Sequence, residues 1–222
     1  MKKKLTLPKK SEMQADKSRD AAAKFLGTVY IVHGWEGNAT KYWFPATIKD
    51  LSEKGFRVHA LDMPNPKQPS IEEWTRFMKK NVKIDADTYF IGHSIGCQTI
   101  LRFLASQKKH AAGCVFVAGW FDLKEFTYTE IPEIESLVRK GAAPWVNTPI
   151  DFAAVKRYAG MITAIFSDND YYVDLSNASI FKNMLGAKII IEHSKGHFGE
   201  KENVTELPIV VSEIMRMLKS KK

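Results

Sequence analysis

No run in the sequence approaches the roughly 18 consecutive apolar residues that a membrane-spanning helix needs, so no membrane partner is expected. The opening stretch MKKKLTLPKKSEMQADKSRD is basic but lacks the apolar segment of a secretory signal, and a cytoplasmic location is the expectation. Cysteine is scarce. Cys97 and Cys114 are the only two, both in apolar surroundings, which predicts buried thiols rather than a disulfide framework. CxxC and HExxH spacings are absent, so no zinc site is expected. Internal repeats and low-complexity segments are missing too. The formal charge of +8 is confined to the ends: residues 1–24 hold eight Lys or Arg against three acids, and Arg216, Lys219, Lys221 and Lys222 lie close to the last position. Residues 25–215 are therefore nearly neutral, and no aromatic residue interleaves with the basic ends. A nucleic-acid partner is not expected.

With 222 residues, 45% of them hydrophobic, the chain can bury one sizeable core. Residues 1–24 are polar and carry no continuous apolar stripe, so they are expected to form a flexible basic extension preceding a single domain over 25–222. Within that domain, short apolar runs rich in β-branched residues alternate with longer amphipathic stretches. Strands are expected at 27–33 (GTVYIVH), 56–61 (FRVHAL), 88–93 (TYFIGH), 113–118 (GCVFVA), 161–167 (MITAIFS) and 187–192 (AKIIIE). Helices are expected over 41–54, 70–83, 95–109, 174–185 and 205–219, the last with Ile209, Val210, Ile214 and Leu218 on one face. The predicted class is a three-layer α/β fold, a mostly parallel sheet of about six strands with helices on both faces. Residues 119–160 break the alternation. They are rich in aromatics, among them Trp120, Phe121, Phe126, Tyr128, Trp145, Phe152 and Tyr158, and are punctuated by Pro132, Pro144 and Pro149, which suggests a helical excursion over the sheet edge.

The segment Gly92-His93-Ser94-Ile95-Gly96 is a GxSxG placed directly after an apolar strand and directly before a helical pattern. A serine at such a turn is forced into a strained backbone, with its hydroxyl raised above the carboxyl end of the sheet. Gly92 and Gly96 are expected to be glycine because a side chain there would strike the neighbouring strand or the departing helix. A hydroxyl is a weak nucleophile at neutral pH, so a base must take its proton and a carboxylate must fix the tautomer of that base. With this elbow the partners follow in the order Ser, Asp or Glu, His. The strand ending at Ser167 runs into Asp168-Asn169-Asp170, and the one ending at Glu192 runs into His193-Ser194-Lys195-Gly196-His197. Each slot offers two candidates. Asp170 is favoured because it lies farther past the strand, whereas Asp168 could cap its own turn; His197 is favoured because it follows Gly196 in a loop, whereas His193 ends the strand. The backbone N–H groups of Ile95 and of Trp35, in the glycine-containing turn His33-Gly34-Trp35-Glu36-Gly37-Asn38, are the candidate oxyanion donors. His93 is expected to be a structural neighbour.

The chain resembles the small serine hydrolases of the YdeN-type, retinoblastoma-binding-protein-9-like group of α/β-hydrolases. The resemblance is carried by VYIVHGW at 29–35, Tyr42-Trp43-Phe44-Pro45, LDMPNP at 61–66, Trp74, IGHSIGC at 91–97, Asp170 three residues before Val173, and GHF at 196–198. It implies a triad of Ser94, Asp170 and His197, a small acyl ester as substrate, an acyl-enzyme intermediate and no cofactor. Tyr171-Tyr172 departs from the group's usual residues. Trp120 and Tyr171 are the candidate substrate-binding side chains. The alternatives are a thioesterase or amidase using the same three residues, or a non-catalytic binding protein on the same fold. The sequence leaves the oligomeric state open.

Overall fold

The computed structural model describes residues 25–123 and 132–221, with the helical backbone but not the side chains over 132–139. The expected basic extension over 1–24, and Phe126 and Tyr128, lie outside the described residues. Among the described residues six strands form one all-parallel sheet: β1 (Gly27–Val32), β2 (Phe56–Leu61), β3 (Thr88–His93), β4 (Gly113–Val117), β5 (Met161–Ser167) and β6 (Lys188–Glu192). Their spatial order is β2-β1-β3-β4-β5-β6. The helices are α1 (Phe44–Glu53), α2 (Ile71–Asn81), α3 (Ile95–Gln107), α4 (Pro132–Asn147), α5 (Phe152–Tyr158), α6 (Ser176–Leu185) and α7 (Pro208–Ser220).

Alternation along each strand feeds two cores, because successive side chains leave opposite faces of the sheet. Tyr30, Val32, Phe90, Phe116 and Phe166 pack on one face with Trp74, Met78, Ile100, Leu104 and Phe181. Val29, Ile31, Tyr89, Ile91, Val115 and Ile165 pack on the other with Trp43, Phe44, Leu51, Val210, Ile214 and Met217. Both faces of the sheet are thereby covered, as the nearly continuous apolar strands require. The buried stripe of α7 is Val210, Val211, Ile214 and Met217 rather than the expected set; Ile209 and Leu218 only border the core.

The helix ends follow local chemistry. Ser70 accepts from Glu73 N at 3.2 Å to start α2, with Glu72 and Glu73 in its first turn and Lys79 and Lys80 in its last. Asp151 accepts from Ala154 N at 2.9 Å to start α5. The excursion contributes α4 and α5. Trp145 of α4 is buried against Trp74, ring centroids 6.0 Å apart, and donates to Pro69 O at 3.2 Å. Both cysteines are free and buried. Among the described residues no helix is long and apolar enough to cross a membrane.

The chain passes from β1 outward to β2 and then returns across β1 to β3, so connections leave β1 and β3 in opposite directions. Ligands of open α/β sheets bind at the carboxyl ends of strands at such a reversal. Ser94 and the turn after β1 both lie there.

Candidate active site

Ser94 joins β3 to α3 with φ 53° and ψ −124°, a left-handed conformation that costs an ordinary L-residue of order 1–3 kcal/mol. The surroundings enforce it. Ser94 N donates to Val117 O at 2.9 Å, and Cys97 N donates to Ser94 O at 3.0 Å. A Cβ on Gly96 would stand 2.4 Å from Val32 O, and one on Gly92 2.9 Å from Cys97 Cα. The backbone must therefore pass closer to β1 and α3 than any side chain permits.

The last residue of β5 and the three that follow it grip the loop after β6. Ser167 Oγ accepts from Lys195 N at 2.9 Å, Asp168 Oδ1 from Ser194 N at 2.8 Å, and Asn169 Oδ1 from Gly196 N at 2.8 Å. Asp170 Oδ2 lies 2.8 Å from His197 Nδ1, while its Oδ1 accepts from Tyr172 N at 2.8 Å and Val173 N at 3.0 Å. The two carboxylate candidates thus pair with different histidines. Asp168 Oδ2 contacts His193 Nδ1 at 2.6 Å, a pair in which the histidine side chain is 85% exposed, whereas Asp170 and His197 are 2% and 13% exposed. Asp168 does not cap its own turn; it holds the start of the other loop. Its carboxyl sits below the usual value because Ser194 N–H and His193 donate to it.

The turn after β1 is held by backbone and side-chain hydrogen bonds. Gly37 N donates to Gly34 O at 3.2 Å, Glu36 N to Pro66 O at 2.9 Å, and Met63 N to His33 Nε2 at 3.0 Å. His33 Nδ1 donates to Gly34 O at 2.7 Å, and burial lowers its pKa, so the ring is neutral. The indole N–H of Trp35 donates to Lys67 O at 3.1 Å, but its backbone N–H has no acceptor among the described residues, and Ile95 opens α3, where a first-turn N–H has no carbonyl behind it in the helix. A Cβ added to Gly34 would stand 3.2 Å from Ser94 Cβ, which measures how closely this turn lies against the elbow.

A cavity of about 370 Å³ opens here, lined by Ser94, His197, Ile95, Trp35, Trp120, Tyr171 and Tyr172 among others. Of the favoured site residues, all but the elbow glycines and the buried Asp170 therefore face one space. Trp120 is buried, and its indole Nε1–H donates to Ser94 Oγ at 3.4 Å, so it is a wall beside the hydroxyl rather than part of the rim. Tyr171 carries Lys201 Nζ 4.4 Å above its ring, and burial together with the Glu202 carboxylate raises its pKa. Tyr172 meets the His197 ring edge-on at 4.9 Å. Sequence reasoning did not single out Ser167 and Asn169, although both sit in the same SDND run as the chosen aspartate. Nor did it single out Met63 and Pro66, whose LDMPNP segment was legible only as part of a resemblance.

The sequence model for serine hydrolases matches residues 29–216, most of the chain. The chain belongs to the serine hydrolase family. It is 30% identical over 185 residues to YdeN of Bacillus subtilis (strain 168), a match covering 82% of this chain and 91% of that one. It is 23% identical over 188 residues to the serine hydrolase RBBP9 of Rattus norvegicus, covering 85% and 86%. The crystal structure of the B. subtilis ydeN product superposes with a TM-score of 0.74 at 27% identity, covering 87% of this chain and 99% of that one. Est1E from Butyrivibrio proteoclasticus shares the fold at a TM-score of 0.63 and 15% identity, covering 88% of each chain. The resemblance to the YdeN and retinoblastoma-binding-protein-9 group holds, the fold is that of the α/β-hydrolases, and the protein is a hydrolase.

Proposed function

We propose that the protein is a carboxylesterase-like serine hydrolase that cleaves a small acyl ester by two-step acyl transfer through Ser94, His197 and Asp170. The observation that carries this reading is the 2.8 Å contact between Asp170 Oδ2 and His197 Nδ1, made by a nearly buried pair beside the cavity into which the strained Ser94 opens. An ionised Asp170 keeps the imidazole proton on Nδ1, so Nε2 carries the lone pair that can take the Ser94 proton. Ser94 Oγ then attacks the ester carbonyl, and the carbonyl electrons move to oxygen. The N–H groups of Ile95 and Trp35 stabilise that oxyanion, an effect worth about 3 kcal/mol per donor. Collapse expels the alcohol, which takes the proton from His197. Water repeats the sequence on the acyl-enzyme, with His197 as base and Ser94 as leaving group. The substrate is a small molecule, since the cavity of about 370 Å³ is at the compact end of ligand pockets.

Parallel assays with p-nitrophenyl acetate, a matched acyl thioester and a matched anilide test the reading. Wild type is expected to turn over the p-nitrophenyl ester fastest, and Ser94→Ala is expected to lose at least about a thousandfold in kcat. A faster thioester or anilide rate would reassign the reaction. Wild-type hydrolysis that survives Ser94→Ala would remove Ser94 from it.

A further inference from the structure

His93 is a buried titratable group inside the elbow that the acyl-transfer steps leave unused. It is 3% exposed and penned by aromatic rings, with Tyr42 at 5.6 Å, Trp43 at 6.2 Å and Phe44 at 6.4 Å between centroids. Its Nε2 lies 2.9 Å from the main-chain oxygen of His197. A carbonyl only accepts, so Nε2 carries the proton and donates. Its Nδ1 is buried without a hydrogen-bond partner and stands beside Gly34, which suits a lone pair better than a second N–H. The ring is neutral: burial, reinforced by the neighbouring His197, pushes its pKa down to about 3.

The position of that bond matters because of the strand order. His197 follows β6, while Ser94 follows β3, and β4 and β5 lie between them. The side chains of Ser167, Asp168, Asn169 and Asp170 hold the 193–197 loop from the β5 side, and buried Phe198 anchors its far end. These contacts fix the imidazole relative to Asp170. None of the polar contacts among them reaches the elbow, and Phe198 only joins the apolar cluster that also holds Ile91 of β3. The His93 bond does reach it, since it joins the residue preceding the serine to the carbonyl of the histidine itself.

We propose that His93 is a positioning residue, which ties the main chain of His197 to the nucleophile elbow through its Nε2–H and so sets the separation between the imidazole and the Ser94 hydroxyl. This assignment rests on Ser94 and His197 acting as nucleophile and base. Cutting the tie leaves the Asp170–His197 pair intact but lets it drift from the serine. A misplacement on the order of 1 Å costs about a hundredfold in rate.

The test compares His93→Leu, His93→Asn and His93→Gln. Gln carries its amide nitrogen as many bonds from Cα as His carries Nε2, whereas Asn falls one bond short and Leu has no donor. The readouts are kcat and KM for p-nitrophenyl acetate, the rate of inactivation by a fluorophosphonate, and the thermal midpoint. Leu and Asn are expected to lose about 30- to 100-fold in kcat and in inactivation rate, with KM within about twofold, and Gln to recover at least about tenfold of that loss. Gln no faster than Leu at comparable thermal midpoints, or Leu at the wild-type rate, overturns the proposal. A measurement on the wild type covers the case in which the variants do not fold: the histidine 15N shifts should report His93 protonated at Nε2 and not at Nδ1 from pH 5 to 9, and the opposite tautomer overturns the proposal. Wild type that is not inactivated by the fluorophosphonate at all would instead refute the roles of Ser94 and His197.

Discussion

Replacing Asp170 by Asn changes one atom at a position where the structure dictates how the amide must lie. The Tyr172 and Val173 N–H groups, at 2.8 and 3.0 Å, both point at Oδ1. Turning the amide nitrogen toward them would forfeit two backbone hydrogen bonds, at about 1 kcal/mol each, and set donor against donor. The Asn oxygen therefore stays on the backbone, and the NH2 faces His197 Nδ1, where the carboxylate oxygen stood at 2.8 Å. A donor there forces the imidazole into its other tautomer, with the proton on Nε2 and no lone pair toward the serine. The fold should survive, since the two backbone bonds persist. Catalysis should not: kcat is expected to fall by about 10⁴, equivalent to about 5.5 kcal/mol of transition-state stabilisation, with KM nearly unchanged. Asp168→Asn is the paired control, because an Asn oxygen can still accept from Ser194 N and so keep the loop bond, while its other partner, His193, is exposed and outside the cavity lining; kcat should stay within about threefold. Steady-state hydrolysis of p-nitrophenyl acetate, with thermal melts of both variants, reads the result. A loss under tenfold for Asp170→Asn, or a larger loss for Asp168→Asn, would mean that Asp170 does not set the tautomer of His197.

Gly96→Ala should cost about 1–3 kcal/mol in urea unfolding and abolish turnover, because its Cβ would stand 2.4 and 2.6 Å from the main-chain oxygens of Val32 and His33; wild-type stability would contradict this. Arg102 donates to Trp145 O, Thr148 O, Pro149 O and Gln98 Oε1, and Gln98 in turn donates to Trp120 O. Arg102→Ala should therefore lower stability by about 2 kcal/mol and raise KM as α4, which carries the cavity residue Ala142, loosens; a change in neither urea midpoint nor KM would count against the strut. Burial raises the Glu213 pKa, but bonds from Lys188, Arg216 and Thr163 outweigh it and leave the carboxyl below its ordinary value of 4.5. A depressed folded pKa adds stability that is present above the ordinary value and fades as pH falls through the folded value, so Glu213→Gln should flatten the pH dependence of urea unfolding on the acid side of that ordinary value. An unchanged slope would contradict that.

The six strands were legible because each is a short apolar run buried on both faces, and the sequence expectation misses the observed bounds by a residue at most. Helix ends were less so: α1 begins at Phe44 rather than 41 because Thr40 to Trp43 form a turn that brings Trp43 into the core, a tertiary effect that periodicity does not carry. In α7 the buried stripe shifts onto Val211 and Met217, the latter lying against Gly113 of β4, a tertiary contact that helical period alone does not specify. At the site, GxSxG between a strand and a helical pattern was legible as the strained turn that Ser94 occupies. Asp168 and Asp170 were separable only weakly, because both follow the strand and their difference is which histidine each meets across the sheet. His93 read as a neighbour of the motif; its bond to a main-chain oxygen more than a hundred residues away leaves no mark in spacing.

Covalent capture asks whether Ser94 is the nucleophile and His197 the base that activates it. The protein is incubated with a fluorophosphonate, its intact mass is measured and the adduct is located by peptide mapping, alongside Ser94→Ala and His197→Ala. One adduct per wild-type chain, on the peptide containing Ser94, with none on Ser94→Ala and slowing of at least about a thousandfold on His197→Ala, is the predicted result. Folded wild type that takes no adduct, or an adduct on another residue, would contradict it.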